Sequence, residues 1–225
     1  MKSSTKEKSD FLRQEVMRVA CKNGKGHIAP SLSCLDILNV LHYEKEFEKD
    51  KVILSKGHGC YGLYAIWADK GVVPKEDFEN FTLSGCLDGF GSLGHGLPIA
   101  VGRAFGNRLQ GNKEHVFCIV GDGEMQEGSM WESLSFMSHH KLDNITVIVD
   151  ANGLQAMDRI ENVLSQDLNK RFTGWGFNPI TCDGHNYMEL LAILKSKPKI
   201  VIANTIKGKG FPEMEGVAKW HYRLP

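Results

Sequence analysis

The chain has 225 residues, 42% apolar and 24% charged, which is the make-up of folded globular material and not of a disordered tail. Its 27 basic and 27 acidic residues cancel, so nothing in the overall charge favours nucleic acid or an acidic membrane as a partner, and any anion site has to be built locally. The length suits a single α/β domain over 1–225, with a polar, flexible start over 1–10 that has no apolar core to act as a signal peptide or an anchor.

In chain order, Phe11–Cys21 is a helix candidate, followed by a Gly24–Gly26 loop that presents His27. Ser33 is placed to cap a second helix, Cys34–Tyr43, whose Leu35, Ile37, Leu38 and Leu41 face a core. Val52–Leu54 reads as a short strand carrying Ser55–His58 at its tip, and a helix follows over Gly59–Asp69. Phe81–Gly94 is polar and glycine-rich, hence loop, and Leu97–Leu109 is a helix with Pro98 tolerated in its first turn. His95 belongs to the glycine-rich wording before that helix or merely caps it.

Two apolar runs follow, Val116–Val120 and Ile145–Val149, with a helical pattern over Ser129–His140 between them. The remainder reads as loop through Ile160, helix near Gln166–Thr173, strand near Asn178–Thr181, helix Tyr187–Lys195, strand Lys199–Ala203, and loop to the end. Alternating strands and helices predict a doubly wound, mainly parallel sheet. The six cysteines, Cys21, Cys34, Cys60, Cys86, Cys118 and Cys182, have no CxxC spacing and read as reduced, mostly packing residues of a cytoplasmic protein.

The most informative feature is Gly121-Asp122-Gly123 at the end of the first long run, answered by Asn152 after the second. Asp-Gly is also a hairpin signal, but the pattern after Gly123 is helical, which favours a βαβ unit. In such a unit the two parallel strand tips share one edge, where open α/β sheets bind ligands. Asp122 and Asn152 can therefore share one cation. A carboxylate and an amide oxygen are a sparse hard-oxygen pair, suited to a Mg²⁺ that completes its shell with phosphate oxygens and water. Gly121 and Gly123 are expected to let backbone amides approach a phosphate.

The wording from Gly121 through Gly128 to Glu132, with Lys141-Leu142-Asp143-Asn144 and Asn152-Gly153-Leu154-Gln155, resembles the thiamine-diphosphate signature of transketolases. Further matches are Gly26-His27-Ile28, Ser55-Lys56-Gly57-His58, Gly91-Ser92-Leu93-Gly94-His95-Gly96, and the tail from Lys207-Gly208-Lys209-Gly210 through Met214-Glu215 to Lys219-Trp220-His221. The match is similar above all to the amino-terminal subunit of split, two-gene transketolases.

That resemblance implies thiamine diphosphate with Mg²⁺ (or Ca²⁺) as cofactors, with Asp122, Asn152 and Leu154 at the metal. It implies His58, Gly121 and Gly123 at the diphosphate, Gly91 and Leu93 beside the cofactor rings, and His27 and His221 near the reacting end and the sugar hydroxyls. Glu127 and Glu132 match carboxylates of a hydrogen-bonded cluster between subunits. Lys207–Gly210 either closes over the diphosphate or is a flexible basic loop. His42, His115, His139, His140 and His185 have no motif behind them and read as structural or exposed.

The resemblance also implies a carboxyl-half partner supplying the glutamate that activates the pyrimidine ring, two copies of each chain, and sugar or sugar-phosphate substrates. Between Leu83 and Gly91, over Ser84–Phe90, the chain is shorter than its relatives and lacks a Gly-His-Pro element that contacts the donor's first hydroxyl, and it stops at Pro225 soon after His221. Two alternatives remain: an α-type subunit of a 2-oxo acid decarboxylating enzyme, and a non-catalytic regulatory homologue. A nucleotide-binding Rossmann protein is disfavoured, because no Gly-x-Gly-x-x-Gly opens the first βα turn.

Overall fold

Runs that are apolar at every position, such as Val116–Val120, can be buried on both faces only in the middle of a layered α/β structure. The computed structural model, which describes residues 5–24, 26–80 and 92–224, has that arrangement. In chain order come α1 (Thr5–Asn23), α2 (Ile28–Ser33), α3 (Leu35–Tyr43), β1 (Lys51–Leu54), α4 (Cys60–Asp69), α5 (Lys75–Glu79) and α6 (Gly96–Leu109). They are followed by β2 (Val116–Gly121), α7 (Gly128–His139), β3 (Ile145–Ala151), α8 (Ile160–Leu164), α9 (Leu168–Gly174), β4 (Ile180–Asp183), α10 (Tyr187–Lys195) and β5 (Ile200–Asn204).

The five strands form one sheet in the order β1-β2-β3-β5-β4, and every neighbouring pair is parallel. Alternation along the strands divides the core. Phe117, Ile119, Ile148 and Val201 join a cluster with α1, α3, α4 and α10, while Val116, Cys118, Val120, Val147 and Ile202 join another with α6 and α7. The α/β doubly wound expectation holds. Among the described residues no helix is long and apolar enough to cross a membrane.

Several local expectations are corrected. The helix α1 begins at Thr5, inside the stretch expected to be a flexible start; Lys8 pairs with Asp69, and Asn39 donates to the buried Ser9 hydroxyl. Ser33 does not cap α3. Residues 28–33 are themselves helical, Cys34 holds the N-cap position, and the Ser33 hydroxyl is drawn inward to the Pro30 carbonyl and the Asp150 carboxylate. The loop expected to run through Ile160 closes into α8 at that residue, and the tail forms a single 3₁₀ turn over Ala218–His221 instead of remaining loop. The strand expected near Asn178 starts at Ile180: β4 is a half-exposed edge strand, so its apolar signal is weak. The Phe81–Gly91 part of the glycine-rich segment, including Ser84–Phe90, Cys86 and Gly91, lies outside the described residues.

Close packing at the sheet edge has one strict requirement. A Cβ added at Gly96, the first residue of α6, would stand 2.4 Å from the Cα of Ser55 at the tip of β1. Substituting Gly96→Ala should therefore lower stability by about 2 kcal/mol, as overpacking does. Gly102→Ala, where an added Cβ meets nothing within 4 Å, should be neutral or gain up to ~1 kcal/mol from helix propensity. Urea denaturation of the two variants checks this, and equal effects would contradict the close approach.

Candidate active site at the carboxyl edge of the sheet

The chain leaves β1, β2, β3 and β5 on one edge, and the residues just beyond those ends converge. Ser55 follows β1, Asp122 follows β2, Asn152 follows β3, and Lys207 lies three residues beyond β5. Backbone bonds extend the ladder past the strands: the Asp122 amide donates to the Asp150 carbonyl at 3.3 Å and the Thr205 amide to the Ala151 carbonyl at 3.1 Å. A cavity of about 360 Å³ opens there, between the strand tips, α2 and the 3₁₀ turn at the carboxyl end of the chain.

Most of the sequence-predicted site residues line it: His27, His58, His221, Leu93, Gly121, Asp122, Gly123, Glu127, Asn152 and Leu154. Glu132 does not, being exposed on α7. His95 occupies the N-cap position of α6 without a side-chain capping bond. Of the histidines set aside, His115 bonds Thr146 at 2.9 Å in the core, and His42 is half-buried.

The Asp122 carboxylate is 5% exposed, and its two oxygens accept from the amides of Gly123 (2.8 Å) and Gly153 (2.6 Å). Burial, and next the charge of Asp150, push its pKa up to about 7. A divalent cation at this point would remove that cost, and carboxylate oxygens accepting one bond each retain lone pairs for it. Asn152 directs its amide nitrogen to Asp150 (3.1 Å), so its Oδ1, which accepts from Leu154 N at 3.1 Å, is the oxygen left for a cation. Among the described residues no cluster of three or more His, Cys, Asp or Glu could hold a metal by itself. The donor set therefore fits a cation whose shell is completed by phosphate and water.

Gly121 N–H donates to Glu124 at 3.1 Å and Gly123 N–H to Asp122, so both amides are engaged within the protein. Polar side chains line the cavity beside them. His27, His58 and His221 cluster with ring centroids 5.2–5.6 Å apart. Burial, followed by the Lys56 charge, depresses His58 to about 2; burial and Lys207 depress His221 to about 3 and lower His27 as well. All three are neutral near pH 7, able to donate and accept. Lys207 is buried, not a flexible loop residue: its Nζ donates to the Gln155 carbonyl and to His221 Nδ1, each at 2.8 Å. That contact leaves the His221 proton on Nε2. Burial, then the Lys56 charge, lowers Lys207 to about 8.

Three participants were missed in the sequence. Glu124 accepts from Ser55 Oγ (2.6 Å), Gly94 N (3.0 Å) and Gly121 N, and so ties the glycine-rich segment to the strand tips. Lys56 and Asp150 form a buried ion pair beneath the cavity. The available signal for Asp150 was a single carboxylate ending an otherwise apolar strand.

An open parallel α/β sheet with a hard-oxygen pair, neutral imidazoles and a buried lysine over its carboxyl edge is the frame of a cofactor-binding α/β domain. The family model described as transketolase, thiamine diphosphate binding domain, matches residues 89–223. The chain is 31% identical to one of the named subunits of the apulose-4-phosphate transketolase of Phocaeicola vulgatus, over 96% of this chain and 88% of that one. It is 34% identical to the subunit of the same name from Actinobacillus succinogenes, over 89% and 83%. The solved transketolase of Campylobacter jejuni superimposes with a TM-score of 0.87 at 28% identity, over 98% of this chain and 40% of that chain. The chain belongs to the transketolase family, as a thiamine diphosphate-binding, transketolase-like transferase subunit.

The three histidines give a pH prediction. Each has a folded-state pKa below its unfolded value near 6.5, so the unfolded chain takes up protons that the folded chain refuses. Stability present above about pH 6.5 is therefore lost progressively as pH falls from there toward the folded values. Replacing the rings together (His27→Gln, His58→Asn, His221→Gln) should flatten the loss between pH 7.5 and 5. Urea midpoints across that range test it; identical slopes in both proteins would contradict neutral, half-buried imidazoles.

Proposed function

We propose that this chain, as a single domain over 1–225, is the cofactor-diphosphate half of a cytoplasmic transketolase-like enzyme. In this reading it transfers a two-carbon ketol or related acyl unit between sugar-type substrates, and works only with a carboxyl-half partner. The observation that carries it is the convergence in one cavity of Asp122, Asn152 and Leu154 with three neutral histidines and the buried Lys207.

Asp122, Asn152 Oδ1 and the main chain at Leu154 would hold Mg²⁺ (or Ca²⁺), with His58 and Lys207 at the diphosphate. Thiamine diphosphate, when bound, supplies a nucleophilic carbon that cleaves the bond beside a ketone and retains the two-carbon fragment. Leu93, with Gly91, would flank its rings. His27 and His221 would hold substrate hydroxyls and move their protons, which neutral imidazole does well near pH 7. Lys207 on Nδ1 fixes His221 as an Nε2–H donor.

The pyrimidine-activating glutamate would come from the partner, in an assembly of two copies of each chain with Glu127 and Glu132 at the contact between them. The subunit designation of the two relatives and the exposure of both glutamates support that division. The apulose-4-phosphate in the names of those relatives and common pentose phosphates are the substrates to compare first, and the short Leu83–Gly91 segment favours an altered donor.

Reconstitution tests the reading. The purified chain alone should be inactive and should gain Mg²⁺- and thiamine diphosphate-dependent turnover only with a carboxyl-half transketolase partner. In that complex Asp122→Ala should weaken cofactor binding by about 10-fold or more, the loss expected for a charged contact. Robust turnover without the partner, or unchanged affinity by calorimetry, would contradict it.

A further inference from the structure

The turn between β4 and α10 presents His185, which bridges two distant parts of the chain. The Ile206 amide donates to its Nε2 at 2.8 Å. A ring nitrogen that accepts a hydrogen bond carries no proton, so the proton of the neutral ring lies on Nδ1, which donates to Asp36 Oδ2 at 2.7 Å. The Arg13 guanidinium donates to the same carboxylate oxygen. Burial raises the Asp36 carboxyl, but the His185 hydrogen bond and the Arg13 charge outweigh it and keep Asp36 ionised.

The location explains why a side chain is needed. Strand β4 ends at Asp183 and β5 at Asn204; the Gly184 amide still reaches the Asn204 carbonyl at 2.8 Å, and the Thr205 amide takes the last acceptor on β3. At Ile206 the sheet offers no further carbonyl, and the His185 ring supplies the acceptor instead. The same cluster braces the segment farther on, where a Cβ at Gly210 would lie 2.7 Å from Arg13 Cδ. The residue after Ile206 is Lys207, which reaches into the cavity against His221.

We propose that His185 is a positioning residue of the cofactor cavity: held as its Nδ1–H tautomer by Asp36 and Arg13, it pins the Ile206 amide and so aims Lys207 at the diphosphate end. This rests on the reading of that cavity as the diphosphate site. The role extends the active-site machinery to α1, α3 and the β4–α10 turn, none of which lies among the residues expected to touch the cofactor.

Two isosteric variants separate the two bonds of the ring. In His185→Gln the side-chain oxygen takes the place of Nε2 and keeps the Ile206 contact; in His185→Asn the amide nitrogen takes the place of Nδ1, keeps Asp36, and leaves Ile206 without its acceptor. Hydrogen exchange at the Ile206 amide in the full-length chain, and calorimetric titration of its partnered complex with thiamine diphosphate and Mg²⁺, provide two readouts besides turnover. His185→Asn should speed Ile206 exchange and weaken cofactor binding by about 10-fold, the effect typical of losing an outer-shell partner. His185→Gln should stay within about threefold of wild type on both, again on the scale of such contacts.

If the two variants behave alike, whether both are unaffected or both impaired, the proposal is overturned. Should His185→Asn fail to fold, Ile206 protection in His185→Gln decides: wild-type protection upholds the role and its loss overturns it. Lys207→Met separates this proposal from the reading beneath it. Unchanged affinity in Lys207→Met removes the diphosphate assignment, whereas weakened affinity there with none in His185→Asn removes the positioning role alone.

Discussion

One buried ion pair organises the carboxyl edge of the sheet. Lys56 and Asp150 are 1% and 0% exposed, and either charge alone at such depth would be strongly destabilising. Together they are fully engaged. Lys56 also donates to the Pro30 carbonyl and the Ser33 hydroxyl, and Asp150 also accepts from Ser33, Thr205 and Asn152. The pair thus fastens α2, the tip of β1, the end of β3 and the segment after β5 to one another, and those are the walls of the cavity.

Two properties of the site descend from it. Asp150 accepts from the amide nitrogen of Asn152, which fixes the flip of that side chain and leaves its oxygen on the cation side. The Lys56 charge, together with burial, keeps the His58 ring neutral and lowers Lys207. A bound diphosphate would reverse the second effect, because a neighbouring anion favours the charged lysine.

Much of this was legible in the sequence, for identifiable reasons. The run Val116–Val120 is apolar at every position and Ile145–Val149 at every position but Thr146, so their strands, their parallel pairing and the placement of Asp122 and Asn152 at the tips follow from pattern alone. Tyr187–Lys195 forms the helix expected, and Asn186 caps it, accepting from the Glu189 amide. What the pattern could not carry were partners far apart in the chain. Asp150 meets Lys56 across 94 positions and His185 meets Asp36 across 149, so Lys56 stands in the sequence only within the Ser55–His58 wording and His185 only as a structural or exposed residue. Nor does the pattern announce that Glu124, one residue past the motif, folds back and accepts from the Gly121 amide.

The central claim, that the Lys56–Asp150 pair acts as one unit holding the cavity walls, is tested most directly by a double-mutant cycle with the near-isosteric Lys56→Met and Asp150→Asn, measured by urea denaturation of the full-length chain. Each single change leaves a buried charge without its partner and should cost about 3 kcal/mol or more, while the double variant, with no charge left, should recover a large part of that loss. Losses that simply add in the double variant would mean that the two residues act independently, and would contradict the account.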